Sequence, residues 1–380
     1  MENKVIYLDN ASTTPLKAEV LEKMLPYLTE YYGNAISVHG VGRQAVKGLD
    51  LARETVADII GADFNEVYFT SGGTESNNFA IRGAYYGGNG KNKAVTSSIE
   101  HASVLTTLSE LEKQGVKTIK IDPDKNGVLS VLDYKNHIDS DCFIASMMMA
   151  NNEIGTYQPV KEFSALCNEM GVLSFCDCVQ AMADSVINVK DVGASMLSFS
   201  AHKFGGPKGV GVLYVKNKVK LAPIISGGHQ ERLKRGGTSN VAGAIGLAYA
   251  LKITRENLEK NREKVTKIRN HFIDRVLSEV TGATLNGDRE NRLSGNANIT
   301  FNGISGEALL YKLDLNGVCA SLGAACSAGT IEPSYVLKSI GLSDSEARST
   351  IRFSIGENNT LEEINKTVEI IKNSINELKK

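Results

Sequence analysis

The sequence predicts an α/β protein in which a large domain, built on a mostly parallel sheet, is joined to a smaller α+β domain. From 67 to 175, short apolar strands alternate with helices, an order typical of a parallel sheet with helical crossovers. After Val241 this alternation ends in a long helical stretch, followed by a mixture of strands and helices. A chain of 380 residues is long enough for two domains. We therefore assign 15–255 to the large domain, and 1–14 with 256–380 to the small one.

The elements of the large domain are short and closely spaced. In the helix at 41–60, apolar residues recur at helical spacing. The run 143–150 is apolar on both faces, as is typical of a central parallel strand. The full predicted order is strand 5–8, helices 17–31 and 41–60, strand 67–70, a helix from 75, strand 94–96, a helix from 102, strands 116–121 and 143–150, helix 160–170, and strand 172–175.

The small domain begins with a helical stretch that extends from 241 to about 279. Its second half is strongly charged, like a solvated helix face, and we expect it to bridge the two domains. The remaining predicted elements are strands near 297–301 and 350–355, and helices near 305–313, 334–340 and 361–378.

Composition limits the classes of function. Apolar residues make up 42% of the chain and charged residues 22%, as in ordinary soluble proteins. The net charge of −1 shows no basic excess, which argues against direct nucleic-acid binding. With no apolar run of membrane-spanning length and no leader-like N-terminus, we expect a cytoplasmic protein without a membrane partner. The 6 cysteines are scattered, which predicts free thiols and no metal site.

A single lysine, Lys203, stands between two apolar strands predicted at 195–200 and 210–215. Burial at such a position would lower its pKa and make the amine nucleophilic, as a lysine that binds a carbonyl compound covalently requires. Ser200 and His202 flank it with donors suited to a phosphate. The alternative is a surface lysine in a glycine-rich hairpin.

Two further loops follow strands and carry polar groups. The loop at 70–75 is glycine-rich and opens a helix, so that its backbone amides, at Gly73 above all, can approach a phosphate, and Thr74 can add its hydroxyl. A tight turn without function is the alternative. His101 offers a flat ring that could stack on an aromatic cofactor, although such a histidine taken alone is more often structural than functional.

Polar side chains also follow the strands at 143–150 and 172–175. Asn152 comes directly after the first of these strands, at the edge where open α/β sheets bind ligands. Asp177 follows the second, with Gln180 three positions later. A carboxylate there could pair with a protonated ring nitrogen, or it could simply cap a helix.

Together these groups, in this order and at these spacings, resemble the fold-type I pyridoxal 5'-phosphate (PLP) enzymes. Within them the sequence is most similar to the class V aminotransferase branch, and there to the cysteine desulfurases of the NifS/IscS type. The matching segments, which extend over essentially the whole chain, are 8–14, 33–39, 70–78, 100–101, 151–155, 177–180, 200–203, 230–240, 321–337 and 351–354.

The resemblance implies roles for the groups around the cofactor ring. Lys203 would bind PLP covalently and later move the substrate Cα proton. Asp177 would keep the pyridine nitrogen protonated, which makes the ring an electron sink. His101 would stack on the ring and take part in catalysis, while Gln180 and Asn152 would hydrogen-bond its phenolic oxygen.

The resemblance also implies a phosphate site and a substrate site. The phosphate would be held by Gly73, Thr74, Ser200 and His202, with Thr238 contributed by the second subunit of a homodimer. The substrate would be bound by Asn34, Asn152 and Arg352, whose fork suits a carboxylate.

Cys326 distinguishes a desulfurase from an aminotransferase. It lies in 321–329, a stretch of small residues that predicts a mobile loop. In the resembled family such a thiolate takes the substrate sulfur and presents the persulfide to an acceptor. The alternative is an inert cysteine in a buried turn. Cys178 adds a second thiol close to the predicted ring site.

The resulting hypothesis is a homodimeric, PLP-dependent cysteine desulfurase that converts L-cysteine to L-alanine and carries the sulfur on Cys326. Its acceptor would be a protein, either an iron–sulfur scaffold or a tRNA-thiolation enzyme. A selenocysteine lyase or a class V aminotransferase on the same scaffold is the first alternative. A non-catalytic docking protein for sulfur transfer is the second, and the presence of Lys203, Asp177 and Arg352 argues against it.

Overall fold

The computed structural model describes residues 5–88, 90–322 and 332–379. The strands in these ranges are β1 Ile6–Tyr7, β2 Val67–Thr70, β3 Lys93–Ser97, β4 Lys117–Ile121, β5 Cys142–Ser146, β6 Leu173–Asp177, β7 Met196–Ser200, β8 Gly211–Val215, β9 Ala283–Leu285, β10 Asn296–Phe301, β11 Val318–Cys319 and β12 Thr350–Ser354. The helices are α1 Ala18–Thr29, α2 Gly40–Ile60, α3 Gly73–Gly87, α4 Ala102–Glu112, α5 Val131–His137, α6 Val160–Glu169, α7 Val189–Val192, α8 Gln230–Leu233, α9 Val241–Glu256, α10 Leu258–Glu279, α11 Gly306–Leu315, α12 Tyr335–Ser339, α13 Asp344–Arg348 and α14 Leu361–Leu378. Short 3-10 helices lie at Phe64–Glu66, Ala181–Ala183 and Ala201–Lys203.

The large sheet has seven strands in the order β2-β8-β7-β6-β5-β3-β4. Only β8, among the described strands of this sheet, runs against its neighbours, since it pairs antiparallel with both β2 and β7. The pairs β3–β4, β3–β5, β5–β6 and β6–β7 are parallel. The prediction of a mostly parallel sheet is confirmed.

Helices cover both faces of this sheet. Side chains of successive residues in a strand point to opposite faces. Accordingly, Phe175 of β6 packs in a cluster with Phe79 and Leu108 of α3 and α4, whereas its neighbour Cys176 packs in the larger cluster on the other face. All residues of β5 are buried, as expected of a strand covered on both sides.

The smaller α+β part is built on the antiparallel sheet β12-β10-β9. Its separate hydrophobic cluster includes Phe272 of α10, Phe301 of β10, Phe353 of β12 and Val368 of α14. The β1–β11 pair brings the start of the described chain into this cluster through Ile6.

The predicted helical stretch from 241 to 279 is broken in the structure. Asn257, with φ −105° and ψ 4°, separates α9 from α10. Its backbone N–H donates to Ile253 O at 3.2 Å and its side-chain Nδ2 donates to the same carbonyl at 2.9 Å, so that Asn257 caps α9. The interruption lets buried α9 pack on α1 and α2 while α10 packs on α14 and the small sheet.

The segment 9–14, which we call the strap, connects the two sheets. At one end, Asn10 donates from N and Nδ2 to Ser354 O of β12, at 3.2 and 2.8 Å. At the other, Thr14 donates from N and Oγ1 to His202 O, both at 2.9 Å. The strap thus links the small sheet to the loop after β7. Among the described helices, none combines the length and the apolar character that crossing a membrane requires.

Candidate active site

Five strands of the large sheet end in polar residues at the same edge. β2, β3, β5, β6 and β7 end at Thr70, Ser97, Ser146, Asp177 and Ser200. Because these strands all run in the same direction, their carboxyl ends lie on one side, where the following loops meet. This edge is where the sequence predicted a cofactor site.

Lys203 ends the short 3-10 helix that follows β7. Its Nζ donates to two strap carbonyls, those of Ala11 at 2.7 Å and Ser12 at 2.8 Å. Burial, together with the charge of Arg352, lowers the pKa of Lys203 to about 8, although Asp177 and Asp9 act in the opposite direction. The amine is therefore far more often free at neutral pH than that of a surface lysine, as covalent chemistry requires.

Asp177 is 5% exposed and both of its carboxylate oxygens are hydrogen-bonded. Oδ1 accepts from the Val179 backbone N–H at 2.9 Å, and Oδ2 accepts from Asn77 Nδ2 at 2.7 Å. The 3-10 helix that follows begins at Ala181 and has Gln180 at its cap position, so Asp177 does not cap it. The carboxylate is held in place, as a partner for a ring nitrogen would need to be.

His101 is exposed and forms the N-cap of α4. Its Nδ1 accepts from the Ser103 backbone N–H at 3.1 Å and is 2.7 Å from Ser103 Oγ. Since these contacts use only Nδ1, Nε2 is left for a ligand. Stacking on a cofactor ring stays a prediction.

The loop before α3 leaves room for an anion beside Ser200. Gly72 has φ 152°, a conformation accessible to glycine, and a Cβ built on it would lie 3.7 Å from Ser200 Oγ. A Cβ on Gly73 would come within 2.8 Å of Val179 Cγ2. α3 begins at Gly73 without a side-chain cap, so the amides of its first turn, including that of exposed Thr74, have no helical partner.

The charge balance at this helix terminus favours an anion. Glu75, in the first turn of α3, is neutralised by Arg235, with Nε–Oε1 at 2.8 Å and Nη2–Oε2 at 3.1 Å. His202 Nδ1 is 3.1 Å from Thr13 Oγ1. Burial, then the charges of Lys203 and Lys208, lower the pKa of His202 to about 4, so His202 is a neutral hydrogen-bonding group at neutral pH.

Arg352 is 4% exposed and is fixed by the strap. Its Nη2 donates to Asp9 Oδ1 at 2.9 Å and to Ser12 Oγ at 2.8 Å, and its Nη1 donates to Asn152 O at 3.0 Å. Its Nε is buried and has no partner within the described chain. A buried donor of this kind marks a site where an acceptor, such as a carboxylate, fits.

The strap is a part of the site whose function the residues alone did not predict. It was matched only through the family resemblance, whereas the structure places it against four predicted site residues. In addition to Lys203, His202 and Arg352, it receives a hydrogen bond from Gln180 Nε2, which donates to Ala11 O at 2.9 Å. The available signal was the polar run that directly follows the strand predicted at 5–8.

A cavity of about 620 Å³ opens beside Lys203. It is lined by the strap, by Gln180, by the junction of α9 and α10, and by the end of β12 near Ser354. Asp177 and His101 are not among its lining residues. The cavity therefore approaches the lysine from the side of the smaller sheet and provides space next to the reactive amine.

Three predicted site residues are not brought into this constellation. Asn34 is exposed, and its side-chain Oδ1 accepts from Ile36 N in its own turn at 3.1 Å. Thr238 is exposed on the segment that follows α8. Cys326, with residues 323–329 of the predicted mobile loop, lies outside the described residues.

The second thiol close to the site is inaccessible. Cys178 is fully buried, and its Sγ donates to Cys176 O at 3.6 Å. Burial raises the pKa of the Cys178 thiol well above its ordinary value. All five described cysteines are free thiols, but Cys178 has neither the exposure nor the ionisation that sulfur transfer requires.

A buried carboxyl group, Glu100, lies beneath this site; the sequence matched it as part of the segment 100–101 but gave it no role. Its Oε1 accepts from the Met148 backbone N–H at 2.8 Å and from Ser97 Oγ at 3.1 Å, while Oε2 is buried without a partner in the described chain. Burial, then the negative charge of Asp177, raises the pKa of Glu100 to about 8. Glu100 is therefore mostly protonated at neutral pH.

Comparison with known proteins identifies the family. Residues 6–367 match the family described as aminotransferase class-V. The cysteine desulfurase IscS of Clostridium botulinum is 44% identical over 372 residues, which cover 97% of this chain and 94% of the relative. The chain belongs to the cysteine desulfurase family. The IscS of Methanosarcina thermophila is 41% identical over 379 residues, covering 100% of this chain and 94% of the relative.

Solved structures agree with this desulfurase fold. A NifS-like protein superposes with a TM-score of 0.93 at 33% identity, covering 98% of this chain and all of the other. SspA, solved in complex with cysteine, superposes with a TM-score of 0.82 at 33% identity, covering 93% of this chain and 100% of the other. The predicted fold class, enzyme class and PLP cofactor are confirmed.

The site of this desulfurase fits PLP on its own geometry. The glycine cradle beside Ser200 and the uncapped start of α3 suit the phosphate. The immobilised Asp177 carboxylate suits the pyridine nitrogen, and the low pKa of Lys203 suits covalent attachment. These groups would hold the cofactor at the carboxyl edge of the sheet.

We expect covalent attachment of PLP to the apo-desulfurase to accelerate with pH and to level off above about pH 8. The free amine of Lys203 is the reactive form, and its pKa of about 8 lies well below the ordinary lysine value of 10.5. Stopped-flow absorbance from about pH 6.5 to about pH 9.5 measures the attachment rate on both sides of this pKa. Borohydride reduction and peptide mass spectrometry then identify the modified lysine. A rate that keeps rising throughout this pH range, as expected of a surface lysine, would contradict the assignment. Lys203→Ala is the control that lacks the reactive amine.

We expect the contribution of Glu100 to the stability of the desulfurase to be lost as pH rises from about 5 to about 8. Unfolded Glu100 ionises near 4.5, whereas the folded group stays protonated up to about 8, so the favourable contribution is complete below the lower value and declines between the two. Between these pH values, the urea midpoint of Glu100→Gln relative to that of the wild type should therefore rise. Glu112→Gln, at the exposed end of α4, should keep the wild-type profile; equal slopes for both variants would exclude Glu100.

Proposed function

We propose that this protein removes sulfur from L-cysteine, releases L-alanine and carries the sulfur as a persulfide on Cys326. The observation that carries the proposal is the convergence of Lys203, Asp177 and Arg352 at one edge of the sheet. A nucleophilic amine, a fixed carboxylate and a buried guanidinium are the groups that amino-acid chemistry with PLP needs. When bound there, PLP supplies an electron sink for the substrate.

The binding and proton-transfer steps are assigned to residues of this chain. Arg352 binds the substrate carboxylate through its fork, whose orientation is set by Asp9 and Ser12. Lys203, with its lowered pKa, takes a proton from the substrate Cα and returns it, because an amine with a pKa of about 8 exchanges protons readily at neutral pH. Asp177 holds the proton on the pyridine nitrogen. The strap contacts both Lys203 and Arg352 and so holds the proton-transferring amine and the carboxylate-binding guanidinium at a fixed separation.

The sulfur step is assigned to Cys326. Its thiolate forms a bond to the substrate sulfur while the C–S bond breaks, and the electron pair of that bond remains on the substrate carbon, which is protonated to give alanine. A thiolate suits this step because it is a soft nucleophile at neutral pH. The product on the enzyme is a persulfide.

The described residues that precede and follow the segment carrying Cys326, which end at 322 and resume at 332, contact the site. Ser321 forms a backbone pair with Arg352, with N–O distances of 3.1 and 2.7 Å. On the other side, Tyr335 OH donates to Glu100 O at 2.7 Å, and Ser334 Oγ donates to Glu153 Oε2 at 2.5 Å. Both ends of the intervening segment thus start from site residues, which supports a catalytic assignment for Cys326.

A homodimer accounts for the site residues that the single chain leaves apart. Leu21, Leu25 and Leu28 follow each other at helical spacing on α1 and are 43%, 46% and 56% exposed. Val38, four residues beyond Asn34, is 89% exposed. Exposed apolar residues that share one helix face, as the three leucines do, are typical of a protein interface. We assign this face to a second copy of the chain.

The segment that precedes Thr238 has a constrained backbone conformation. Glu231, Arg232 and Leu233 have φ of 43°, 56° and 65°, a left-handed conformation that costs free energy in residues other than glycine. Glu231 is anchored by Arg53 through two contacts, at 2.8 and 2.6 Å. Because this segment is fixed by Arg53 and Thr238 is exposed, Thr238 can be presented to a neighbouring subunit. This supports its assignment to the phosphate of the partner subunit.

The persulfide requires an acceptor, for which we propose a protein. An iron–sulfur scaffold and a tRNA-thiolation enzyme are the two candidates. The experiment that tests the whole proposal is incubation of the holoenzyme with L-cysteine, with alanine and sulfide measured with and without each acceptor. Parallel turnover of selenocysteine separates a desulfurase from a selenocysteine lyase.

We expect Cys326→Ser to bind cysteine and PLP but to form alanine only at the background level. A serine hydroxyl is hardly ionised at neutral pH and cannot take the sulfur. Cys178→Ser serves as the matched control and should retain activity, because Cys178 is buried. Mass spectrometry after a cysteine pulse should find the added sulfur on the Cys326 peptide; finding it on the Cys178 peptide would refute the assignment.

We expect the protein to sediment as a dimer and the Leu25→Arg, Leu28→Arg double variant to dissociate more readily. Two charges on the exposed face of α1 cannot be buried without partners. Leu132→Arg, at a position 65% exposed on α5, should sediment like the wild type. A wild-type monomer with full PLP occupancy in analytical ultracentrifugation would argue against the dimer.

A further inference from the structure

We propose that Asn77 is a positioning residue that links the Asp177 carboxylate to His101 through Ser103 and so determines which His101 ring nitrogen carries the proton. Asn77 lies on α3, is 1% exposed and touches neither the cavity nor the reacting lysine. The inference concerns the organisation of the PLP site and does not depend on the sulfur-transfer step.

All hydrogen-bonding groups of the Asn77 side chain are used. Its Nδ2 donates to Asp177 Oδ2 at 2.7 Å and to Ser103 Oγ at 2.8 Å. Its Oδ1 accepts from Ser198 Oγ at 2.6 Å. These partners come from β6, from α4 and from β7, so one amide joins three separate elements at the carboxyl edge of the sheet.

The charge of Asp177 fixes the direction of this amide. An ionised carboxylate can only accept hydrogen bonds, so the group of Asn77 that faces it must be the NH₂. A rotated amide would place Oδ1 against the carboxylate and would lose both short contacts. Ser198, which donates to Oδ1, completes this orientation.

The donor-to-acceptor order of these hydrogen bonds extends through Ser103 to His101. Ser103 Oγ accepts a hydrogen bond from Asn77, so that its own hydroxyl proton can point at His101 Nδ1, 2.7 Å away. The Ser103 backbone N–H points at the same nitrogen, at 3.1 Å. A nitrogen that faces two donors is an acceptor, so the His101 proton resides on Nε2.

This arrangement has a consequence for both ends. At Asp177, the second carboxylate oxygen is held by an amide that cannot change its direction. At His101, which is an exposed residue, the Nε2–H can donate to a ligand. One buried amide therefore determines which groups donate and which accept at two positions around the PLP site, Asp177 and His101.

The test is Asn77→Asp in the holoenzyme, compared with Asn286→Asp. The first change replaces the donor with an acceptor facing Asp177 and offers the Ser103 proton an alternative partner. Asn286 is a matched control, because it is 7% exposed and its Nδ2 also donates twice, to Asn298 Oδ1 and Thr300 Oγ1, both at 2.8 Å, in the small sheet. A general loss of stability should therefore be similar in the two variants.

Two readouts are measured. Long-range ¹H–¹⁵N spectra of ring-labelled holoenzyme, with the His101 signal assigned by its loss in His101→Gln, should show the proton on Nε2 in the wild type and an altered pattern in Asn77→Asp. Equilibrium titration of the apoenzyme with PLP should give a Kd raised about tenfold or more in Asn77→Asp, since a hydrogen bond to a charged group is lost. Asn286→Asp should change neither.

Ser103→Ala keeps the inference testable if Asn77→Asp does not fold. This variant removes the hydroxyl but keeps the backbone N–H, so the His101 Nδ1 resonance should shift while the PLP Kd stays within about threefold of the wild type. A wild-type His101 with its proton on Nδ1, or variants at positions 77 and 103 whose His101 spectra match the wild type, would overturn the proposal. Neither readout uses alanine or persulfide formation, so the outcome is independent of the proposed reaction.

Discussion

The contact between the Lys203 amine and the carbonyls of Ala11 and Ser12 is the interaction on which the site depends. It ties the loop after β7 to the strap, and the strap is tied in turn to β12 by Asn10. The same segment holds Arg352 through Asp9 and Ser12. The distance between the amine and the guanidinium is therefore set by six consecutive residues that belong to neither of the two main sheets.

The two acids below the site differ in their hydrogen bonding. Asp177 has both oxygens hydrogen-bonded, to the Val179 backbone N–H and to Asn77. Glu100 has one oxygen without a partner in the described chain, and burial raises its pKa to about 8. A protonated Glu100 therefore adds no negative charge beside Asp177, the carboxylate that would pair with a protonated ring nitrogen.

Burial also determines the ionisation of the cysteines next to the site. Cys176 and Cys178 flank Asp177 in the sequence, yet burial raises the pKa of each well above its ordinary value. These two thiols are therefore unsuited to sulfur transfer beside the cofactor. The described residues Ser321 and Tyr335, which precede and follow the segment that carries Cys326, are bonded to Arg352 and to Glu100.

The sequence by itself determined the fold class, because the alternation of short apolar strands with helices admits few arrangements other than a parallel sheet. It also determined candidate residues at or shortly after the ends of strands, such as Asp177 and Lys203, since the end of a strand is a local property. What it could not determine were partners that only tertiary packing brings together. The bond from Lys203 to Ala11 joins residues 192 positions apart, and that from Asn77 to Asp177 joins residues 100 apart. The order and register of the strands decide such pairs, and with them the proton on His101, the buried state of Cys178 and the lowered pKa of Lys203.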